Sequence, residues 1–252
     1  MPFTPSHIAA VLPLRGRREG LPLAALAAGS MSPDFMYYLP LPGWGAVSQQ
    51  AHSLPGIFTW DLLFGVSMWA VWRAVSPAVH DLAPRAVRRR WRPATWPAKA
   101  RPLALVVAAV LVGAATHVVW DGFTHGGGFA VRWLPVLAAE YSTPWVSLPG
   151  YQWLQYASGV IGLVIVAWAG LRQPVADPSP PRYPQLVRAT PWVVGAAAFV
   201  TVLGRLAVYT AAPSLHSLAF VAVTAAIAGF AVAVCLLCVV YLCLPTNGVA
   251  RH

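Results

Sequence analysis

The chain has 252 residues, 58% of them hydrophobic and only 10% charged, with a mean hydropathy of +0.62. Soluble globular domains carry about 25% charged residues, so this composition excludes an ordinary soluble enzyme and describes a protein threaded several times through a bilayer. The formal charge of +10, from 17 Lys and Arg against 7 acids, would point to nucleic acid in a soluble chain. Here it reads as topology, because cytoplasmic loops of membrane proteins collect Lys and Arg, and no nucleic-acid partner is expected.

Residues 1–53 are mixed and proline-rich. The opening MPFTPSHIAAVLPLRGRREG lacks a basic n-region ahead of a long apolar core, so no cleavable signal is expected and insertion falls to internal spans. The apolar piece from Leu21 to Leu39 is interrupted by Gly29-Ser30 and Ser32-Pro33-Asp34. That makes it a short or re-entrant helix, tolerated at membrane depth only against protein or a wet cavity.

Spans are expected at 54–75, 103–120, 154–171, 191–212 and 215–244, the last long enough to require tilt. The basic stretch from Arg85 to Arg101 marks the loop after the first span as cytoplasmic, with anionic lipid binding as a possible extra role. The proline-rich linker with Arg182 is a second cytoplasmic connection. Tryptophans such as Trp60, Trp120, Trp133 and Trp153 sit near span ends, as an interfacial belt requires. Cys235, Cys238 and Cys243 all fall in the last apolar run and, with no fourth ligand nearby, read as buried thiols rather than a zinc or redox pair. The expected fold is all-α: a single integral-membrane domain over 1–252, a polytopic transmembrane helix bundle of about five spans plus a short or re-entrant N-terminal helix.

Alternating the spans from a cytoplasmic 76–102 loop places residues before Leu54 and the loop 121–153 on the same, opposite face. His7, Asp34 and His52 then meet His117, Asp121 and His125. Arg15, Arg17 and Arg18 run against the positive-inside rule in this arrangement; the longer basic loop outweighs them. His117-Val-Val-Trp-Asp121-Gly-Phe-Thr-His125 closes the second span, its polar residues at i, i+4 and i+8, within roughly 80° of one another on a continuous helix. Neighbours are about 6 Å apart along the axis and can share an ion, whereas the outer pair, at about 12 Å, cannot. Either Asp121 bridges two ions, or the helix breaks at Gly122 or Gly126 and His125 swings round. Ionisable groups at this depth need a partner or a task.

His and Asp donors without paired cysteines favour zinc, manganese or iron over a structural Cys-zinc site. Such an ion activates water and clamps charge on a phosphoryl group. Ser30, Ser32, Ser53 and Thr124 are close enough in sequence to support the ligands. Asp61, inside the first span, either orients an imidazole or accepts a proton, or pairs with a neighbouring helix or water. Gln155 can complete a polar cavity. His80 reads as solvated, His216 as interfacial, and Arg205 either binds a phosphate or snorkels.

Met-Pro-Phe-Thr-Pro-Ser-His7, Gly29-Ser-Met-Ser-Pro-Asp34, Ala51-His52-Ser53 and His117-Val-Val-Trp-Asp121-Gly-Phe-Thr-His125 together resemble an uncharacterised bacterial integral-membrane family of unknown function, over nearly the whole chain. The ligand pattern is more distantly similar to the YdjM-type membrane-bound metal-dependent hydrolases. It is more faintly similar to zinc-dependent phospholipase C and the P1-type nucleases, which are soluble and use more ligands. These resemblances imply His7, Asp34, His52, His117, Asp121 and His125 as metal ligands and one or two divalent ions, zinc first, then manganese or iron.

The leading expectation is a membrane-bound metal-dependent hydrolase in the bacterial inner membrane. Its site lies on the extracytoplasmic side, its substrate is a lipid or envelope phosphoester, and Asp61 and Asp121 are its catalytic carboxylates. A metal-ion transporter and a non-catalytic membrane scaffold are the alternatives. A transporter would want polar groups at depth on several spans, and a scaffold gains only about 1 kcal/mol per interhelical hydrogen bond.

Overall fold

The computed structural model describes residues 4–14, 21–39, 44–91, 102–209 and 214–245, the side chains of Leu215 and His216 excepted. Arg15, Arg17, Arg18, Arg92, Lys99, Arg101 and the His216 side chain lie outside the described residues. Among the described residues the protein is helical apart from loops and a small antiparallel hairpin, Glu140–Ser142 with Ser147–Pro149. Among the described residues, five helical stretches are long and apolar enough to cross a membrane: Leu54–Leu82, Leu103–Trp133, Gly150–Leu171, Pro184–Ala207 and Ser217–Cys243.

Several ends differ from the sequence expectation. The first span is a short turn, Leu54–Phe58, followed by Trp60–Leu82, which runs through Pro77 instead of stopping at Val75. Ala78 and Leu82 are buried in an apolar cluster beyond the proline, and that packing outweighs the loss of one backbone hydrogen bond. The third begins at Gly150 and the fourth at Pro184, where a proline in the first turn costs nothing because its missing N–H would have no partner there. The second ends at Thr124; His125 follows with extended backbone, φ −126° and ψ 140°. The polar stripe is therefore helical only from His117 to Asp121.

Two compact units divide the chain: Met1–Trp72 with Trp96–Arg172, and Arg73–Thr95 with Gln173–His252. In the first, helix Leu23–Met31 has nine residues and is about 13 Å long, far short of the about 30 Å hydrocarbon core. It lies against helix Leu103–Thr124 at backbone contact. A Cβ on Gly29 would stand 2.1 Å from the Val110 carbonyl oxygen, and one on Gly113 2.3 Å from that of Leu26. Small residues at such crossings let helices approach closely where lipid supplies no hydrophobic drive. Val11, Leu26, Val106 and Val110 close the core around the crossing. One turn beyond Gly113, on the same face, His117 meets the short helix at Ser30. The 3₁₀ turn Thr4–His7 presses on helix Gly150–Leu171, where a Cβ on Gly162 would lie 2.7 Å from the Ser6 carbonyl oxygen.

In the second unit Pro184–Ala207 and Leu215–Cys243 run antiparallel. The Thr201 hydroxyl donates to the Ala225 carbonyl at 2.9 Å, and Ala197 faces Gly229. Asp81 ties this unit together: it lies 3.4 Å from the Arg88 guanidinium and accepts from the Arg182 N–H at 2.7 Å and the Tyr241 hydroxyl at 3.1 Å.

Candidate metal centre

Three separate segments bring donors to the first unit's polar centre. Helix Leu103–Thr124 brings His117 and Asp121, the 3₁₀ turn Ser32–Asp34 brings Asp34, and His52 follows the helix Trp44–Ala51. One donor atom from each of Asp34, His52, His117 and Asp121 lies within 4.8 Å of the others. His117 Nε2 is 3.3 Å from Asp121 Oδ2 and 3.6 Å from Asp34 Oδ1. His52 Nε2 is 3.3 Å from Asp34 Oδ1 and 3.6 Å from Asp121 Oδ2. Charge-assisted N–H···O bonds are about 2.7–2.9 Å long, so these gaps are wide for hydrogen bonds. They match the about 3.3–3.4 Å between donors that each sit about 2.0–2.1 Å from a shared tetrahedral ion.

The far side of each imidazole fixes its tautomer. His117 Nδ1 lies 2.7 Å from the Ser30 carbonyl, and His52 Nδ1 2.8 Å from the Ser48 carbonyl. A carbonyl accepts only, so both Nδ1 atoms carry hydrogen and both Nε2 atoms face the centre, each offering a lone pair there when the ring is neutral. The buried Nε2 of His117 and Oδ1 of Asp34 have no hydrogen-bond partner. Buried groups left so are rare, and lone pairs facing lone pairs call for a cation between them. The donor set, two neutral imidazoles and two carboxylates, fits a divalent metal.

His7 stands on the other side of Asp121, its Nε2 3.6 Å from Oδ1 and likewise without a partner. Its ring stacks on His117 at 3.8 Å between centroids. Burial, and then the neighbouring His117, push its pKa down to about 3, so His7 is neutral and its lone pair is available. His125 lies outside the group of four. Its Nδ1 is 3.3 Å from the Asp121 carbonyl and 3.5 Å from Oδ2, and the Gln155 amide reaches its Nε2 at 3.2 Å. Burial would raise the pKa of Asp34, but the adjacent His117 and His52 outweigh it and hold the carboxyl below its usual range. For His52 burial works downward, and Asp34 more than offsets it, raising the pKa.

Asp61 is fully buried, neither of its oxygens is hydrogen-bonded, and it lies within electrostatic reach of His52, His117 and Asp34. His52 is the most accessible of the four donors, 22% exposed against 7% or less for the others.

A domain of unknown function, DUF4184, matches residues 1–243. The chain belongs to this family. No curated protein and no solved structure matches it.

Sequence reasoning missed part of what holds this DUF4184 centre. The Thr4 hydroxyl donates to Asp34 Oδ2 at 2.6 Å, and the Tyr38 hydroxyl donates in turn to Thr4. Asp34 is thereby turned so that Oδ1 alone faces the imidazoles. The expected serine hydroxyls do other work: those of Ser30 and Ser32 bond the preceding turn, and that of Ser53 caps the next helix. In this DUF4184 protein the supports are backbone carbonyls, of Ser30 and Ser48, which no side-chain motif can announce. The Thr-Pro-Ser-His7 motif did hold a signal for Thr4, three residues before a ligand candidate. His80 lies edge-on to Trp91 at 5.5 Å, in the second unit.

Proposed function

We propose that this protein is a membrane-bound metal-dependent hydrolase of the bacterial inner membrane. It cleaves a phosphoester in a lipid or envelope precursor at the extracytoplasmic ends of its helices. The observation that carries the reading is the pair of imidazoles, His52 and His117, locked by backbone carbonyls with their lone pairs turned onto two buried carboxylates. Asp34, His52, His117 and Asp121 would hold the ion, zinc first and manganese or iron as alternatives, with His7 placed for a second ion across Asp121. When bound, the ion supplies a Lewis acid that activates water at neutral pH and stabilises charge developing on a phosphoryl group.

The chain's own residues do the rest. Thr4 and Tyr38 hold Asp34, the Ser30 and Ser48 carbonyls hold the imidazoles, and Gln155 holds His125. Hydrolysis forms a bond from the water oxygen to phosphorus, breaks the ester P–O bond and delivers one proton to the leaving alcohol. Asp61, buried beside the centre with both oxygens unengaged, takes that proton from the water and returns it.

Elemental analysis of the detergent-purified protein beside His117→Ala and Asp34→Ala tests the reading. One or two equivalents of metal per chain, lost in both variants, is the expected result. Wild-type protein that holds no metal after repletion would sink it and leave a scaffold or a transport protein. Asp61→Asn should keep its metal and lose turnover.

A further inference from the structure

We infer that residues 129–149 form an insert lying in the interfacial layer of the bilayer, opening the metal centre onto lipid headgroups. The substrate class is then a membrane lipid carrying a phosphoester, not a water-soluble ester. The part about substrate rests on the hydrolase reading; the part about the insert stands without it.

Both ends of the insert are anchored at the centre. It starts four residues after His125, where Phe129 fills the space beside Gly122, and it returns at Gly150 and Tyr151, whose hydroxyl packs on Gly126. It follows helix Leu103–Thr124 and leads into helix Gly150–Leu171, both part of stretches able to cross a membrane, so the chain itself keeps it at the membrane surface. Its outer face is aromatic and aliphatic: Trp145 is 90% exposed and Trp133 82%, with Phe129, Leu134, Val136 and Val146 exposed beside them. An apolar surface of this kind is costly in water and favoured where lipid meets water, and Trp is the residue that favours that layer most.

The insert is also built to hold its shape. The Thr143 hydroxyl accepts the N–H groups of Trp145 and Val146 at 3.3 and 3.1 Å, the Ser142 hydroxyl donates to that of Ser147 at 2.9 Å, and the Trp153 indole N–H donates to the Tyr141 carbonyl at 3.2 Å. Trp145 therefore projects from a fixed hairpin. Arg132 is the one Lys or Arg between Asp121 and Leu171, and its guanidinium rests on the Gly127 carbonyl at 3.0 Å, two residues from His125. A lipid phosphate in that layer meets a single cation beside the metal centre, while the insert's one carboxylate, Glu140, is held away on the hairpin by the Ser147 hydroxyl at 3.1 Å.

Quenching of tryptophan fluorescence decides the insert. Full-length protein is reconstituted into phosphatidylcholine vesicles with or without bromine at shallow acyl positions, and wild type is compared with Trp145→Phe and Trp133→Phe. The two residues' share of the emission should be quenched by the brominated lipid and shielded from aqueous iodide. The reverse pattern would overturn the insert. Substrate class is read on metal-loaded protein given phosphatidic acid and phosphatidylglycerol in vesicles beside their water-soluble dibutyryl forms. Preference for the vesicle lipids, lost in the Trp133→Ser/Trp145→Ser double variant at unchanged metal content, is expected. Equal hydrolysis of both forms, or of neither, would overturn the lipid assignment. Wild type without metal would defeat the hydrolase reading, with the quenching result still deciding the insert.

Discussion

Asp121 is the residue on which the centre turns, with imidazoles of His7, His52, His117 and His125 at 3.6, 3.6, 3.3 and 3.5 Å from its two oxygens. Asp121→Asn preserves its shape and removes its charge, and elemental analysis should find the metal gone. Thr4 acts one step out. Thr4→Val deletes the hydrogen bond that orients Asp34, and loss of such a support typically weakens metal affinity about 10–100-fold. A chelator competition should register that loss, Thr4→Ser should restore it, and thermal unfolding should move little. Protons compete with the metal at this scale too. The raised pKa of His52 means that, without an ion, a proton sits on His52 below that pKa and must leave before metal binds. Affinity should therefore fall as pH drops through the His52 pKa, in the same competition run as a pH series. An affinity that rose on acidification would contradict this.

Among the elements, the crossing of Leu23–Met31 with Leu103–Thr124 places the site. With a Cβ on Gly113 only 2.3 Å from the Leu26 carbonyl oxygen, Gly113→Val must push the helices apart, and overpacking of this kind costs about 1–3 kcal/mol. The same shift draws the Ser30 carbonyl off His117 Nδ1. We expect a lower unfolding temperature in detergent together with lost metal. Gly195→Ala, where nothing lies within 4 Å of the new Cβ, should change neither. The sequence displayed the break at Ser32-Pro33-Asp34 that ends this short helix, and its inability to span; Gly29-Ser30, which it also marked as an interruption, lies inside the helix. It did not display the partner, because Gly29 and Gly113 are far apart in the chain and each alone is an unremarkable glycine. The i, i+4 pair His117 and Asp121 was legible as a helical stripe. Its extension to His125 was not borne out as helix, because the chain turns extended after Thr124 and His125 reaches Asp121 from outside the helical register.

For the whole molecule, the orientation we propose from the charge distribution puts the Arg85–Arg90 stretch inside and the 121–153 loop outside. Single cysteines at Ser142 and at Arg90, in a background lacking the native three, should be labelled by an impermeant maleimide on opposite faces of sealed cells. A Ser142 cysteine that sealed cells shield from the label would overturn the extracytoplasmic placement of the centre. The exposed apolar helices and the buried polar centre reverse the pattern of a water-soluble enzyme, as a bilayer requires: lipid accepts apolar surface freely, while ionisable groups must be gathered inside and satisfied.

The helical class, the five apolar spans and the candidacy of Asp34, His52, His117 and Asp121 as donors were legible in the sequence by itself. Hydropathy runs act locally, and histidines and aspartates at membrane depth are too costly to be incidental. Which atoms face one another was decided only by tertiary structure. The Nε2 lone pairs of His52 and His117, the single inward oxygen of Asp34 and the placing of Thr4 behind it depend on backbone carbonyls and on a glycine crossing between distant segments. A carbonyl is the same in every residue, so its position, and hence the tautomer it selects, exists only once the helices have packed.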